Sequence, residues 1–546
     1  MTSTPTTISP QRLALLMTAI RDKKAATPTI GAATGKRGEL ITYNTEQQQF
    51  IDLVSKSHAN AVLIGAAGTG KTTCMQGACV ALIQSSATPI MDEAATATHR
   101  YLQAGTPGIV ACSFTRRAVV NLRKAMPAGM QHNCITIHKL LEFAPVYYDV
   151  LDEATQEYKT TMRFEPTRNA LNPLPAQITT IIVDESSMVS VELYKQLVSA
   201  LPHKVQWIFL GDIHQLPPVF GSAILGFKML ELRTVELISV YRQAMESPII
   251  LYATKIKNGE TFQVNSKIES ESSSGKITFR PWIKKISSDL ACLTFCKFIC
   301  DAIDATDAGY YNPETDMILC PYNKAFGTIE INKAIASHLA KKNFRPVWEI
   351  VAGFTKIYLS VGDRVLYDKE DAIVTEISRN AQYHGNMPQD ESVTLDYWGH
   401  NNSAKKYKSV QIDEIDSLLD SISAEPIDKV RLASHIVTIS MLDSEQTVVL
   451  DTAADINSLL LSYALTIHKA QGSEWDKVFL VLHQSHATMV QRELLYTAVT
   501  RAAKELYVIC EKETFVSGVA SQKVKGTTLK EKAEYFKGKL DARGGY

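Results

Sequence analysis

Long apolar runs, net charge and metal-like cysteine spacing are all missing from this chain. Across its 546 residues no apolar run approaches the ~20 that a bilayer-spanning helix requires. Leu13, Ala14, Leu15, Leu16 and Met17 make a brief apolar stretch near the start, but no convincing cleavage site follows it. Fifty-seven basic residues balance fifty-seven acidic ones, so a polyanion has to be met by a local groove and not by overall charge. Nine cysteines are scattered along the chain, a usage that fits a reducing cytoplasm. Cys292, Cys296 and Cys300 recur every four residues, with no fourth ligand at metal-like spacing, so they read as one packed helix face. What remains is an ordinary globular composition, 45% hydrophobic and 21% charged. The length exceeds one hydrophobic core, so roughly two to four domains are expected.

The chain is organised around Gly65, Ala66, Ala67, Gly68, Thr69, Gly70, Lys71 and Thr72, which fit G-x-x-x-x-G-K-[ST]. The apolar run 61–64 precedes this loop as a strand, and residues from Thr73 to Gln84 follow as a helix. In that setting the loop's backbone N–H groups converge on phosphate oxygens at a helix N-terminus. Lys71 reaches the β/γ-phosphates, and the Thr72 hydroxyl is a ligand for Mg²⁺. A nucleoside triphosphate is the expected ligand. Just upstream, Gln47 has an amide able to read adenine, with a helix N-terminal segment as the plain alternative.

Further strands alternate with helices, at 109–113, 134–138, 179–183 and 204–211, then 317–320, 478–482 and 506–510. This rhythm predicts parallel sheets covered on both faces. Asp184 and Glu185 end one strand, where Asp184 would hold Mg²⁺ and Glu185 would deprotonate the attacking water. Gln215 follows another strand, placed to sense the γ-phosphate or that water. Arg242 and Arg501 are candidates to neutralise charge on the γ-phosphoryl oxygens. Residues 142–177 break the α/β rhythm as a hairpin-bearing insertion. Period-two patterning at 362–367, 392–397 and 436–440 predicts a small inserted β-barrel.

Taken in order, Gln47, the 65–72 loop, Phe114-Thr115, Thr136 to His138, Asp184-Glu185, Gly211 to Pro218, Tyr241-Arg242-Gln243, Thr466 to Glu474 and Leu495 to Arg501 resemble a superfamily 1B DNA helicase of the Dda/RecD-like branch. The resemblance covers about residues 43–512. It implies an α/β fold of two RecA-like P-loop domains, with an inserted hairpin pin domain and an SH3-like β-barrel insertion. The boundaries it suggests are a flexible extension at 1–40 and a first domain at 41–235 carrying the pin at about 142–177. A second domain spans 236–355 and 460–515, interrupted by the SH3-like insertion with its appendage at 356–459, and a C-terminal tail, a helix expected to fray, occupies 516–546.

The implied cofactors are ATP and Mg²⁺, and the implied activity is 5′→3′ unwinding of DNA in replication, recombination or repair. Gln47 becomes the adenine reader, 65–73 including Thr73 the nucleotide-binding stretch, and Gln215 the coupling residue. Thr115, His138 and His468 lie in motifs that contact the DNA strand in that family. A helix cap for Thr115 and core positions for the two histidines are the alternatives. Phe164 is the candidate wedge of the pin, with packing of its own hairpin as the alternative. The implied partners are single-stranded and forked DNA, with a single-stranded-DNA-binding protein or replisome component as a candidate protein partner; no membrane is expected, and the chain is expected to work as a monomer. A translocase that displaces proteins, or a related RNA helicase, is the competing expectation.

Overall fold

The computed structural model describes residues 42–84, 88–151, 158–238, 246–260, 268–281, 286–305, 310–367, 370–385, 432–442 and 446–543. The apolar runs become short buried strands: β1 (Ala61–Gly65), β2 (Ile109–Ser113), β3 (Cys134–Thr136), β4 (Phe143–Leu151), β5 (Tyr158–Pro166), β6 (Thr180–Asp184), β7 (Gln206–Gly211) and β8 (Arg233–Leu237). Six of them form a parallel sheet in the order β3-β2-β6-β7-β1-β8. Strand periodicity splits its core in two. Val62 and Ile64 join the cluster on one face, Ala61 and Leu63 the cluster on the other. Both faces are therefore covered, as near-continuous aliphatic strands require. β4 and β5 leave this sheet and, among the described residues, pair with each other alone, from Phe143 opposite Pro166 out to Leu151 opposite Tyr158.

A second sheet is built from β9 (Ile268–Ser272), β10 (Gly275–Pro281), β11 (Met317–Cys320), β19 (Ala464–Thr466), β20 (Trp475–Leu482) and β21 (Ala502–Cys510). Its order is β19-β11-β20-β21-β10-β9, parallel except at the β9 edge. Each sheet, covered by helices, is the core of an α/β unit. Cys292, Cys296 and Cys300 sit buried on the helix Ser288–Asp304, the first two packed with Phe295 and Ile299.

Between β11 and β19 lies an antiparallel sheet of β12 (Trp348–Ala352), β13 (Thr355–Leu359), β14 (Arg364–Tyr367), β15 (Glu370–Arg379), β16 (Leu432–Met441), β17 (Thr447–Thr452) and β18 (Leu460–Leu461). It begins at Trp348, ahead of the expected boundary at 356. Only Trp348, Ile350 and Ala352 alternate there, too short a run for periodicity to separate from the helix before it. Residues 392–397, expected as a strand, and most of 400–434 lie outside the described residues, as do residues 1–40. The inserted sheet is tied to the second unit by Tyr463, whose hydroxyl donates to Asp363 Oδ1 at 3.0 Å and accepts the Arg364 N–H. Burial pushes the Asp363 carboxyl up to about 6.

The C-terminal helix, expected to fray, is docked instead. Helix Lys512–Ala520 packs Phe515 and Val519 into the second unit, while Val524 and Phe536 enter the core of the first. Phe536 belongs to helix Leu529–Arg543 and meets Phe227 edge-on at 5.3 Å. Gly226 lets it approach, since a Cβ there would lie 2.2 Å from the ring. The crossing between the two helices is pinned by Glu493, whose carboxylate accepts the N–H groups of Lys523 and Val524. Lys532, fully buried, donates to the Val524 carbonyl at 3.1 Å. The low apolar content of this helix hid its docking face from sequence periodicity. No helix among the described residues is long and apolar enough to cross a membrane.

Candidate nucleotide and nucleic-acid site

Three adjacent strands, β6, β7 and β1, deliver their C-terminal ends to one place. β1 opens into the glycine loop and the helix Lys71–Gln84. Gly68 and Gly70 take φ of 79° and 83°, a left-handed conformation that a side chain would strain. Thr69 braces the loop by donating to the Ala66 carbonyl, and Lys71 Nζ donates to the carbonyls of Gly65 (2.7 Å) and Ala66 (3.1 Å). Thr72 faces solvent at the helix start and Thr73 is half-buried beside it.

At the end of β6, burial and the neighbouring Glu185 charge push the Asp184 carboxyl up from its ordinary range, with Lys71 pulling the other way. Glu185 itself holds φ 48°, ψ 41°, a left-handed conformation uncommon outside glycine and asparagine. Its Oε2 is buried without a hydrogen-bond partner among the described residues. Gln215, on the segment after β7, is likewise buried and its Oε1 has no partner. Asp184, the orphaned Oε2 of Glu185 and the helix-start hydroxyl of Thr72 form an oxygen-only donor set that suits Mg²⁺.

Gln47 lies at the third position of the helix Thr45–Ser55. Its Oε1 accepts the Asn44 N–H, and its own N–H donates to Asn44 Oδ1. The amide thus serves a capping box, on a helix packed against the loop helix. Arg501 is buried and bonded within its own unit: Nε to the Thr497 carbonyl, Nη1 to the Ser473 carbonyl and Nη2 to Thr500 Oγ1, at 3.0, 2.9 and 3.2 Å. Arg242 lies outside the described residues.

Thr115 caps the helix Arg116–Ala125 by accepting the Ala118 N–H, so the plain alternative for this residue is realised. It also faces the second unit: Gly472, at φ 77°, has room for no Cβ because Thr115 Oγ1 would lie 2.8 Å from it. His138 sits edge-on between the rings of Phe114 and Phe143. Burial lowers the pKa of His468, with the Lys523 charge adding to it. Phe164 is 61% exposed but stands opposite Pro145, near the root of the hairpin. The outermost described rung, Leu151 opposite Tyr158, is six residues further out, about 20 Å at strand rise. Phe164, the candidate wedge of the pin, therefore sits near the hairpin's root and not at its tip, because the two strands run on past it to Leu151 and Tyr158.

The sequence reading missed the contacts that join the units. Arg117 of the helix Arg116–Ala125 stacks over Trp475 at 5.1 Å, donates to Ser473 Oγ, and forms an ion pair with Asp371 of the inserted sheet. Arg116 approaches Glu370 at 3.7 Å. A run of basic residues on a helix looks like a solvated face in sequence, and only the fold supplies their acidic partners.

Residues 47–221 match the family described as an AAA domain, and residues 461–509 match the UvrD-like helicase C-terminal domain. The chain is 25% identical over 466 residues to an ATP-dependent RecD2 DNA helicase from Deinococcus radiodurans, a match covering 85% of this chain and 48% of that protein. It is 23% identical over 486 residues to the RecBCD enzyme subunit RecD of Buchnera aphidicola, covering 84% of this chain and 71% of that one. The chain thus spans about half the length of the Deinococcus relative. A Bacteroides Pif1 helicase solved with ADP-AlF3 and ssDNA superposes with a TM-score of 0.45 at 15% identity, covering 92% of this chain and 98% of that one.

Proposed function

We propose that this chain, a superfamily 1B helicase of the RecD-like kind, hydrolyses ATP between its two α/β units to move 5′→3′ along single-stranded DNA and to part duplex at a fork. The observation that carries the chemistry is the pair of buried, partnerless acceptors, Glu185 Oε2 and Gln215 Oε1, on neighbouring strand ends beside the glycine loop. A water held there would donate to them, with Glu185 taking its proton as the γ-phosphoryl is attacked. Lys71 meets the β/γ-phosphates, Gln47 reads adenine, and the backbone N–H groups from Gly65 to Thr73 cradle the phosphates. Thr72 and Asp184 would hold Mg²⁺, which when bound neutralises charge on the phosphate oxygens. Arg242 and Arg501 supply positive charge from the second unit. For Arg501 this means exchanging a bond such as that to Ser473 for a phosphate oxygen. ATP that bridges both units favours their closed arrangement, and hydrolysis removes that preference.

Thr115, His138 and His468 line the strand-binding side, and the β4–β5 hairpin acts as the pin against which the fork is pushed. The inserted antiparallel sheet takes the place of the SH3-like domain of that branch. The test is ATP hydrolysis with and without single-stranded DNA or RNA, together with unwinding of duplexes tailed at either end. DNA-stimulated hydrolysis, unwinding only from a 5′ tail and loss of both in Lys71→Ala are expected. Stimulation by RNA in preference to DNA, or unwinding only from a 3′ tail, would overturn the substrate or the polarity.

A further inference from the structure

Tyr496 lies on the helix Arg492–Val499 of the second unit and is buried in that unit's core, 2% exposed. Yet both partners of its hydroxyl belong to the first unit. The O–H donates to Asp212 Oδ2 at 2.6 Å, and the oxygen accepts the Ala67 N–H at 3.1 Å. Ala67 is part of the glycine loop. Asp212, 0% exposed, follows β7 and opens the segment that carries Gln215. One phenol therefore joins the phosphate loop to the Gln215 segment, and it reaches them from across the cleft.

The grip extends along that segment. Thr497, the next residue of the same helix, accepts the Leu216 N–H at 3.0 Å, and Gln471 Nε2 donates to the Leu216 carbonyl at 3.1 Å. Asp212 Oδ1 accepts the His214 N–H, so the carboxylate also sets the turn leading to Gln215. Gln215 is thus held between two points, Asp212 and Leu216, both fastened by the second unit. A short hydroxyl-to-carboxylate bond in a dry place is strongly directional.

We propose that Tyr496 is a positioning residue for ATP hydrolysis: it reports the placement of the second unit to the glycine loop and to Gln215 at once. The inference rests on the reading of the chain as a nucleotide-driven motor. Tyr496 touches no reacting atom. It acts by setting the Ala67 N–H and, through Asp212, the position of Gln215. When the units move apart, Ala67 and Asp212 lose the same partner together, so loop and Gln215 segment are released in concert.

The test is Tyr496→Phe, which keeps the buried ring and removes only the oxygen, beside Asp212→Asn and the double variant. Hydrolysis is measured as kcat and KM for ATP, with and without single-stranded DNA, and thermal unfolding is followed in parallel. Tyr496→Phe is expected to lower DNA-stimulated kcat roughly 10- to 100-fold, the range for losing a hydrogen bond to a charged group, with a smaller change in KM. Asp212→Asn, which keeps an acceptor, should fall between, and the double variant should be no worse than Tyr496→Phe. An unchanged ratio of stimulated to basal kcat in Tyr496→Phe would overturn the proposal. So would multiplicative effects in the double variant, since the two residues would then act separately. An equal loss of stimulated and basal rates together with a lowered unfolding temperature would reduce Tyr496 to a packing residue. A wild-type protein that hydrolyses no ATP would instead sink the motor reading itself.

Discussion

Removing Asp371 should loosen the junction of the three sheets far more than removing Arg117, although the two form one ion pair. Asp371 Oδ2 faces two guanidiniums, that of Arg117 and that of Arg364 at 3.5 Å. All three side chains are buried or nearly so, at 13%, 8% and 7% exposure. Asp371→Ala strands two cations in a low-dielectric pocket. Breaking a buried pair in this way costs about 3–5 kcal/mol. Arg117→Met leaves Asp371 with Arg364 and keeps an apolar stem against Trp475. Its cost is about 1–3 kcal/mol, that of a weakened polar site.

A chain with several cores has no single unfolding free energy, so the difference is best read locally, as hydrogen exchange in β14 and β15. A gap of about 2 kcal/mol corresponds to roughly 30-fold faster exchange in Asp371→Ala than in Arg117→Met. If Arg117→Met exchanged as fast as Asp371→Ala, the shared-carboxylate account of this junction would be wrong.

Other outcomes follow from the site and its surroundings. Glu185→Gln should still bind ATP while turnover falls at least roughly 100-fold, the size of a general-base contribution, in a rapid-quench assay. Tyr158→Ala, at the outermost described rung of the hairpin, should slow unwinding several-fold, up to the ~1–3 kcal/mol of one stacked base, while Phe164→Ala near the root leaves it close to wild type. Single-strand translocation should be spared in both. His486 is fully buried, with Nε2 2.6 Å from the Phe326 carbonyl and Nδ1 accepting the His483 N–H, and burial lowers its pKa to about 4. Because the unfolded chain takes up that proton first, the neutral form's stability is complete above the ordinary 6.5 and drains away as pH falls towards 4. The loss amounts to about 3 kcal/mol, and His486→Gln should lack this part of the acid limb in denaturation followed against pH.

The parts legible in sequence were those with strong local signatures. The glycine loop needs a preceding strand and a following helix, and both were visible as apolar runs around residues 61–84. Asp184 and Glu185 ended an unmistakable aliphatic strand. Edge strands such as β9, with Glu and Ser in alternation, carry too little apolar contrast to stand out. Partnerships between distant residues were not legible at all. Arg117 and Asp371 are separated by nearly half of the chain, and nothing local in either marks the other. Thr115 and Gln47 show the converse: the motif singled out both positions, and the structure gives each a capping bond that the bare motif does not distinguish from ligand contact.

The docked C-terminal helices tie the two α/β units together a second time. The chain passes from the first unit to the second between Leu237 and Pro248, and it returns between Ala520 and Leu529. A pair of bodies joined at one point can swing, twist and slide. Joined at two, they behave like a door on two hinges, and the remaining freedom is mainly rotation about the line through both. The return segment has little slack, because Glu493 of the second unit holds the N–H groups of Lys523 and Val524 while Val524 enters the core of the first. A second tether of this kind restricts the ways in which the two units can separate.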